Sequence, residues 1–310
     1  MTNQMVLPTK FSYSNISTYK TCKFRWKLQY LDKNYVYSDS VATKIGSLIH
    51  ETEEAIANAL LNKQAINYIA LKNHVIVESH KIAHQFPNDY FKPDKAGKTY
   101  DEKLLYYLTT SIYHLENYLL EHPELEIIGI EEKFNFNYNE NHSFTGSIDR
   151  AFLNRLTAEL IIQDIKTWPA PASDSELKAP LQFAIYSMAA SEIWKIDASN
   201  IRCEYYLPFC DLSQQATSAD LITEASKEID KIFKGIQELD FKPSASPLCY
   251  WCSYSITNPN RPKDSTTLCP YHSLWTPDEK NTQTASQWLG LDLHDSVLKQ
   301  YLEAVQKLKE

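Results

Sequence analysis

The sequence predicts an α+β domain in which a central β-sheet is flanked by helices, and three observations lead there. Residues 11–125 carry apolar side chains mostly at helical spacing. From residue 126 the pattern changes to short β-branched runs bounded by polar turns. Between 126 and 240 these runs, with one helical stretch among them, follow the order β-β-β-α-β. A chain of 310 residues can bury one large core, and 43% hydrophobic with 23% charged residues is ordinary for a soluble globular protein.

Each element has a local reason. Residues 14–30 read as one helix, capped by Ser14 or Asn15, with Ile16, Tyr19, Phe24, Leu28 and Leu31 on a buried stripe. Helices are expected over 44–61, 66–85 and 102–121, with Pro87 and Pro93 marking the loop between the last two. Residues 126–138 and 143–153 read as strands joined by the turn Asn139-Glu140-Asn141-His142. A third strand over 159–166 is built on Leu160, Ile161, Ile162 and Ile165. Pro169, Pro171 and Pro180 mark a loop. A helix over 181–194, a strand over 201–207 and a helix over 219–239 follow. The tail, 241–275, is rich in Pro, Ser, Thr and Cys and needs a staple, because it has little apolar material of its own. Residues 276–310 close what reads as a single domain, ending in a helix.

Composition excludes some classes. No apolar run approaches the roughly 20 residues that span a bilayer, and residues 1–10 lack the apolar stretch of a signal peptide, so a cytoplasmic protein without a membrane partner is expected. A net charge of −8 argues mildly against a general DNA coat, but an acidic metal site can coexist with a local basic groove. Lys20, Lys23, Arg25 and Lys27 read as a solvated helix face. There is no Gly-x-x-x-x-Gly-Lys-Ser/Thr loop, so no nucleotide-driven motor is built into these residues.

Two segments carry chemistry. They are Gly146-Ser147-Ile148-Asp149-Arg150 and Ile162-Gln163-Asp164-Ile165-Lys166. Strand alternation puts Asp164 and Lys166 on one face, and a hairpin-like pairing could bring Asp149 to the same edge. Phosphodiester hydrolysis wants a hard divalent cation held by a few oxygens, with waters left to attack. A lysine beside the carboxylates can orient or deprotonate the attacking water and offset charge on the phosphate.

The order of these segments resembles the RecB-like branch of the PD-(D/E)XK nuclease superfamily, which includes AddB-type helicase–nuclease subunits and CRISPR-adaptation exonucleases. His50, ending Gly46-Ser47-Leu48-Ile49-His50, is similar to the helical Gly-x-x-x-His motif of that branch. Glu131, or its neighbour Glu132, matches the strand glutamate ahead of the Asp motif. Gln182 and Tyr186 match a Gln-x-x-x-Tyr motif on the helix after the lysine strand, and the segment 12–31 resembles the opening helix. Ile148 stands where the superfamily name has proline. The resemblance implies a restriction-endonuclease-like core with a mixed sheet. It also implies a metal-dependent exonuclease acting on single-stranded DNA or DNA ends in repair, recombination or processing. His50, Asp149 and Asp164 would ligate Mg²⁺ or Mn²⁺, Lys166 would stand beside the water, and Glu131, Gln182 and Tyr186 would support the site. A helicase or another recombination or CRISPR-type protein is the implied kind of partner. The alternatives are a non-catalytic DNA-end-binding or assembly module of a larger complex on the same fold, and a zinc-stapled protein whose acidic motifs are coincidental.

Six cysteines complete the pattern. In a chain expected in the cytoplasm, close-spaced cysteines favour metal or cluster ligation over disulfides. Cys249-Tyr250-Trp251-Cys252 and Cys269 suit a thiolate site that lacks a local fourth ligand. In the iron–sulfur nucleases that the chain resembles, a lone cysteine of the opening helix supplies it, and Cys22 is in that place, which implies a [4Fe-4S] cluster. Sixteen residues separate Cys252 from Cys269, longer than that family's short spacing. His272 lies nearby, so zinc stays open, as does a Cys249–Cys252 disulfide. Cys203 and Cys210 read as packing residues.

Overall fold

The first helix begins at Ser12, whose hydroxyl accepts from the Asn15 N–H at 3.2 Å, and it is broken once. In this computed structural model, which describes residues 6–36, 39–173, 177, 181–216, 220–244, 246, 248–249, 252–255 and 269, a short strand β1 (Lys10–Phe11) leads into α1 (Tyr13–Thr21). Cys22 is extended, at φ −158° and ψ 110°, and α2 (Lys23–Trp26) restarts behind it before a wider turn over Lys27–Leu31. The single helix expected over 14–30 is corrected accordingly. One residue serves both helix ends: the Cys22 N–H closes α1 on the Thr18 carbonyl, and its sulfur accepts from the Arg25 N–H at 3.5 Å.

The chain divides into two units, residues 39–227 and the two chain ends, 1–38 with 228–310. In the unit formed by the ends, buried Trp26 donates to Asn15 and stacks on Phe241 at 5.6 Å and 14°. Tyr19 donates to the Asp240 carbonyl at 2.8 Å, and Tyr254 to the Asn34 carbonyl at 2.5 Å. The helix expected over 219–239 is present as Asp220–Gln237. The helix expected within 276–310, and His272, lie outside the described residues.

The unit 39–227 is built on a mixed sheet. β2 (Leu125–Asn137) and β3 (Ser143–Asn154) pair antiparallel around the expected turn, where Asn139 Oδ1 accepts from the Asn141 and His142 N–H groups at 2.9 and 2.8 Å. β4 (Leu160–Ile165) runs antiparallel to β3 and parallel to β5 (Ile201–Leu207). β6 (Leu212–Ala216), antiparallel to β5, is a strand the sequence reading lacks, because Leu-Ser-Gln-Gln-Ala has neither β-branching nor alternation to mark it. All six residues of β4 are buried, as expected for a strand covered on both faces.

Helices cover this sheet. α3 (Val41–Leu61) starts at Ser40, which accepts from the Thr43 N–H, and α4 (Tyr68–Gln85) starts at Asn67. A single turn, α5 (Pro87–Tyr90), precedes α6 (Tyr100–Thr109), which opens on a Thr99–Glu102 capping box. The helix expected over 102–121 is broken at Thr110, with a tight turn over Ser111–Tyr113 before α7 (His114–Glu121). The Ser111 carbonyl accepts from the His114 N–H and also from the Tyr206 hydroxyl of β5 at 3.0 Å, which ties the break to the sheet. Ile45, Leu48, Ile49 and Ile56 of α3 pack with Tyr107, Ile112 and Leu115 against Ile127, Phe152, Ile161 and Ile165 of the sheet. α8 (Leu181–Trp194) reproduces its expected bounds. Its Trp194 ring lies 2.8 Å from where a Cβ on Gly129 would stand, so only glycine lets β2 approach it there. Among the described residues no helix is long and apolar enough to cross a membrane.

Candidate metal centre

The site forms where two strands part. β3 and β4 pair from Leu153↔Leu160 to Arg150↔Gln163, and there the ladder stops. Asp149 and Asp164 are the next residues on each strand. Beyond the last pair, Asp149 Oδ2 accepts from the Ile165 N–H at 2.8 Å. The carbonyl of the same Ile165 lies 2.9 Å from His50 Nε2 of α3. A carbonyl only accepts, so Nε2 carries the proton in this arrangement. Nδ1 faces Asp149 Oδ2, at 3.6 Å, and Glu131 Oε1, at 3.9 Å.

Glu131 reaches this point through a departure from strand geometry. Its φ is +46°, left-handed for a non-glycine residue inside a strand, and the β2–β3 register skips it between Ile130↔Arg150 and Glu132↔Ile148. Such a conformation costs on the order of 1–2 kcal/mol and persists where surrounding contacts hold it. Ser147 supplies one by donating to Glu131 Oε2 at 2.9 Å. His50, Glu131 and Asp149 thereby bring one ligand atom each within 4.8 Å of one another, and Glu132 is not part of the group.

Asp164, the next residue of β4 beyond the last β3–β4 pair, is fully buried. Lys166 Nζ stands 2.7 Å from its Oδ2, and Gln182 Nε2 donates to its Oδ1 at 2.8 Å. The second N–H of Gln182 goes to the Tyr186 hydroxyl at 2.8 Å, one turn further along α8. The site residues read from the sequence are therefore neighbours in space, in two linked groups. Sequence reasoning missed Ser147 and the left-handed Glu131, and no residue type at 131 signals that turn.

Crowding of like charge sets the protonation. Burial first, then the Asp164 carboxylate, pushes Asp149 up to about 7. Burial also raises Asp164, against the pull of Lys166. Burial alone would lower His50, but Glu131, Asp149 and Asp164 outweigh it and the imidazole stays above its ordinary value. Glu131 is held below the usual carboxylate range, chiefly by His50. Two buried carboxylates that resist ionising together, beside an imidazole and a third carboxylate, fit a divalent cation that would favour their charged forms. Below pH 7 a cation must therefore displace a proton from Asp149. Mn²⁺ binding, followed by titration calorimetry, is expected to weaken about fivefold between pH 7 and pH 6 through Asp149 and to change less, about twofold, between 7 and 8. An affinity flat from pH 6 to 8 would contradict this.

A model of the PD-(D/E)XK nuclease superfamily matches residues 10–257. The chain belongs to the PD-(D/E)XK nuclease superfamily. Membership implies a metal-dependent nuclease with DNA as its substrate, and the mixed α/β sheet flanked by helices agrees with a restriction-endonuclease-like fold. No curated protein sequence matches the chain at a significant level.

The unit formed by the chain ends of this PD-(D/E)XK nuclease holds a second cluster. Cys22, Cys249, Cys252 and Cys269 line one pocket with Phe24, Leu28 and Tyr254. The break before α2 places Cys22 there; a turn in which the Cys252 N–H bonds the Cys249 carbonyl at 3.1 Å carries two more, and the Cys269 N–H bonds the Tyr254 carbonyl at 3.0 Å. Burial raises the Cys249 and Cys252 thiols, and their proximity to each other and to Cys22 adds to it. Cys203 is apart from them, buried on β5 at 3.4 Å from the Ser187 hydroxyl, its thiol pushed up to about 12 by burial. A thiol so protonated is a packing group.

Proposed function

We propose that the chain is a RecB-like exonuclease that hydrolyses single-stranded or frayed DNA ends with a divalent cation, and that a [4Fe-4S] cluster staples its two ends. The convergence of His50, Glu131 and Asp149 within 4.8 Å, next to Asp164 and Lys166, carries the reading. His50, Asp149 and Asp164, with Glu131 in support, would hold Mg²⁺ or Mn²⁺. When bound, the cation would supply Lewis acidity toward the phosphodiester. Lys166 Nζ, beside Asp164, would orient an attacking water and offset charge growing on the phosphate. Gln182 keeps Asp164 aimed by spending one N–H on it and the other on Tyr186. The preference for ends, a role in repair or recombination and a helicase-type or CRISPR-type partner rest on the likeness to helicase–nuclease subunits and CRISPR-adaptation exonucleases.

The cluster reading is supported by four cysteines facing one pocket.

Cleavage of an end-labelled single strand tests the function. Activity is expected to vanish in EDTA and to return with Mn²⁺ or Mg²⁺, with Mn²⁺ the better because imidazole suits the softer ion. Ca²⁺ should support binding with little cleavage. Full cleavage in chelator would overturn the metal-dependent reading, and products released only from internal positions would overturn the exonuclease assignment.

A further inference from the structure

Directly behind the metal centre lies a chain of buried polar groups. Glu53 and Arg150 are 1% exposed and Gln163 is wholly buried. Arg150 donates through Nη2 to Glu53 Oε2 at 2.8 Å and through Nη1 to Gln163 Oε1 at 2.9 Å. Tyr107 of α6 donates to the other Glu53 oxygen at 2.9 Å, and Gln163 Nε2 donates to Glu204 Oε1 at 2.7 Å. Burying such an ion pair costs desolvation that its attraction only about offsets, and apolar replacements of similar shape are often as stable. A forked guanidinium with both arms bonded does add direction.

That direction bears on the site. Glu53 follows His50 by one turn of α3, Arg150 follows Asp149 directly, and Gln163 directly precedes Asp164. The apolar contacts of α3 with the sheet, through Ile45, Leu48, Ile49 and Ile56, are non-directional, so the setting of the helix on this edge rests on its polar ties, the His50 bond to the Ile165 carbonyl and the Glu53 bond to Arg150. Of these the guanidinium is bonded at once to the helix and to the neighbouring strand. We infer that the buried Glu53–Arg150–Gln163 chain is a positioning device that fixes His50 against Asp149 and Asp164, and thereby sets the affinity of the centre for its cation. The inference rests on the metal-centre reading above. The three are positioning residues: they act through the residues beside them in the chain.

The test uses the full chain, with Mn²⁺ as the probe and two variants. Glu53→Met with Arg150→Met and Tyr107→Phe removes both charges and leaves no phenol orphaned. Arg150→Lys keeps the charge but cannot bond both acceptors with the same fork. Calorimetric Mn²⁺ affinity and the spin-resonance spectrum of bound Mn²⁺ are read beside thermal melting in EDTA. The triple variant is expected to melt within a few degrees of wild type, yet to bind Mn²⁺ at least about tenfold more weakly with an altered spectrum. Arg150→Lys should fall between the two in affinity. A folded triple variant with wild-type affinity and spectrum overturns the inference. So does unfolding of both variants, which would make the network a fold determinant. If wild type itself binds no Mn²⁺, the metal-centre reading fails first and this inference falls with it, a result distinct from the other two.

Discussion

Asp164→Ala and Lys166→Ala are each expected to lower DNA cleavage by at least about a thousandfold while the protein stays folded. Asp164 is buried, and burial raises its pKa, so its ionised form opposes folding in the metal-free chain. Removing it relieves that opposition and orphans one N–H of Gln182, whose other N–H keeps its bond to Tyr186. Lys166 sits just past the end of β4, partly exposed, and its loss opens little space in the core. Melting in EDTA should therefore shift by only a few degrees in either variant. The two should differ in metal binding: Asp164→Ala weakens Mn²⁺ affinity, whereas Lys166→Ala preserves or strengthens it, because a competing cation next to the carboxylate is gone. Single-turnover cleavage and calorimetry on the same preparations check both halves. Near wild-type cleavage by either variant would mean that the catalytic group lies elsewhere.

The second large effect concerns the cysteines. Under the cluster reading, Cys22→Ser should lose iron and stability to the same extent as Cys249→Ser or Cys252→Ser, although Cys22 lies more than 220 residues away from them in sequence. A cross-link that closes so long a loop restricts the unfolded chain by about 5 kcal/mol in the chain-entropy model. Among the described residues of this unit the other ties between the two ends include Phe11 on Phe233, Lys20 on Glu228, Trp26 on Phe241, Tyr19 and Lys23 on Asp240, and Tyr254 on the Asn34 carbonyl. Cys203→Ser should leave iron unchanged, because that thiol is buried against Ser187 on β5. Cys210→Ser should do the same. Iron and sulfide per chain, with the visible spectrum of anaerobically purified protein, decide the matter. A full iron complement in Cys22→Ser, or a colourless wild-type protein containing zinc, would defeat the reading.

Much of this was legible in the chain because single elements carried several signals at once. Residues 181–194 are apolar all round and end at a tryptophan before a polar loop, so the α8 bounds came out as read. The run at 160–165 is short and β-branched, and two acidic segments on neighbouring strands point to Asp149 and Asp164 near one edge. What stayed hidden depends on tertiary partners. Nothing local separates residues 14–30 from an unbroken helix, because Cys22 works as a cap only through its sulfur. The left-handed turn at Glu131 is held by Ser147 and by the neighbouring imidazole, both remote in sequence. Glu53 and Arg150 look like surface charges until the fold pairs them, since pattern reading assigns charge to solvent. The sequence set Asp164 beside His50 and Asp149 as a ligand and Glu131 as a support; in the structure Glu131 stands with His50 and Asp149, and Asp164 bonds Lys166 and Gln182.

The most direct test of the account follows Mn²⁺ occupancy and cleavage rate on the same samples, for wild type and for Asp149→Asn. Metal-free protein is titrated with Mn²⁺, bound ion is read by spin resonance, and the rate is read on an end-labelled single strand. The account expects the rate to rise in proportion to the occupancy of a site that Asp149→Asn abolishes, with no cleavage at zero occupancy. A full rate at zero occupancy would contradict it, as would an Asp149→Asn protein that cleaves as wild type does without binding the ion.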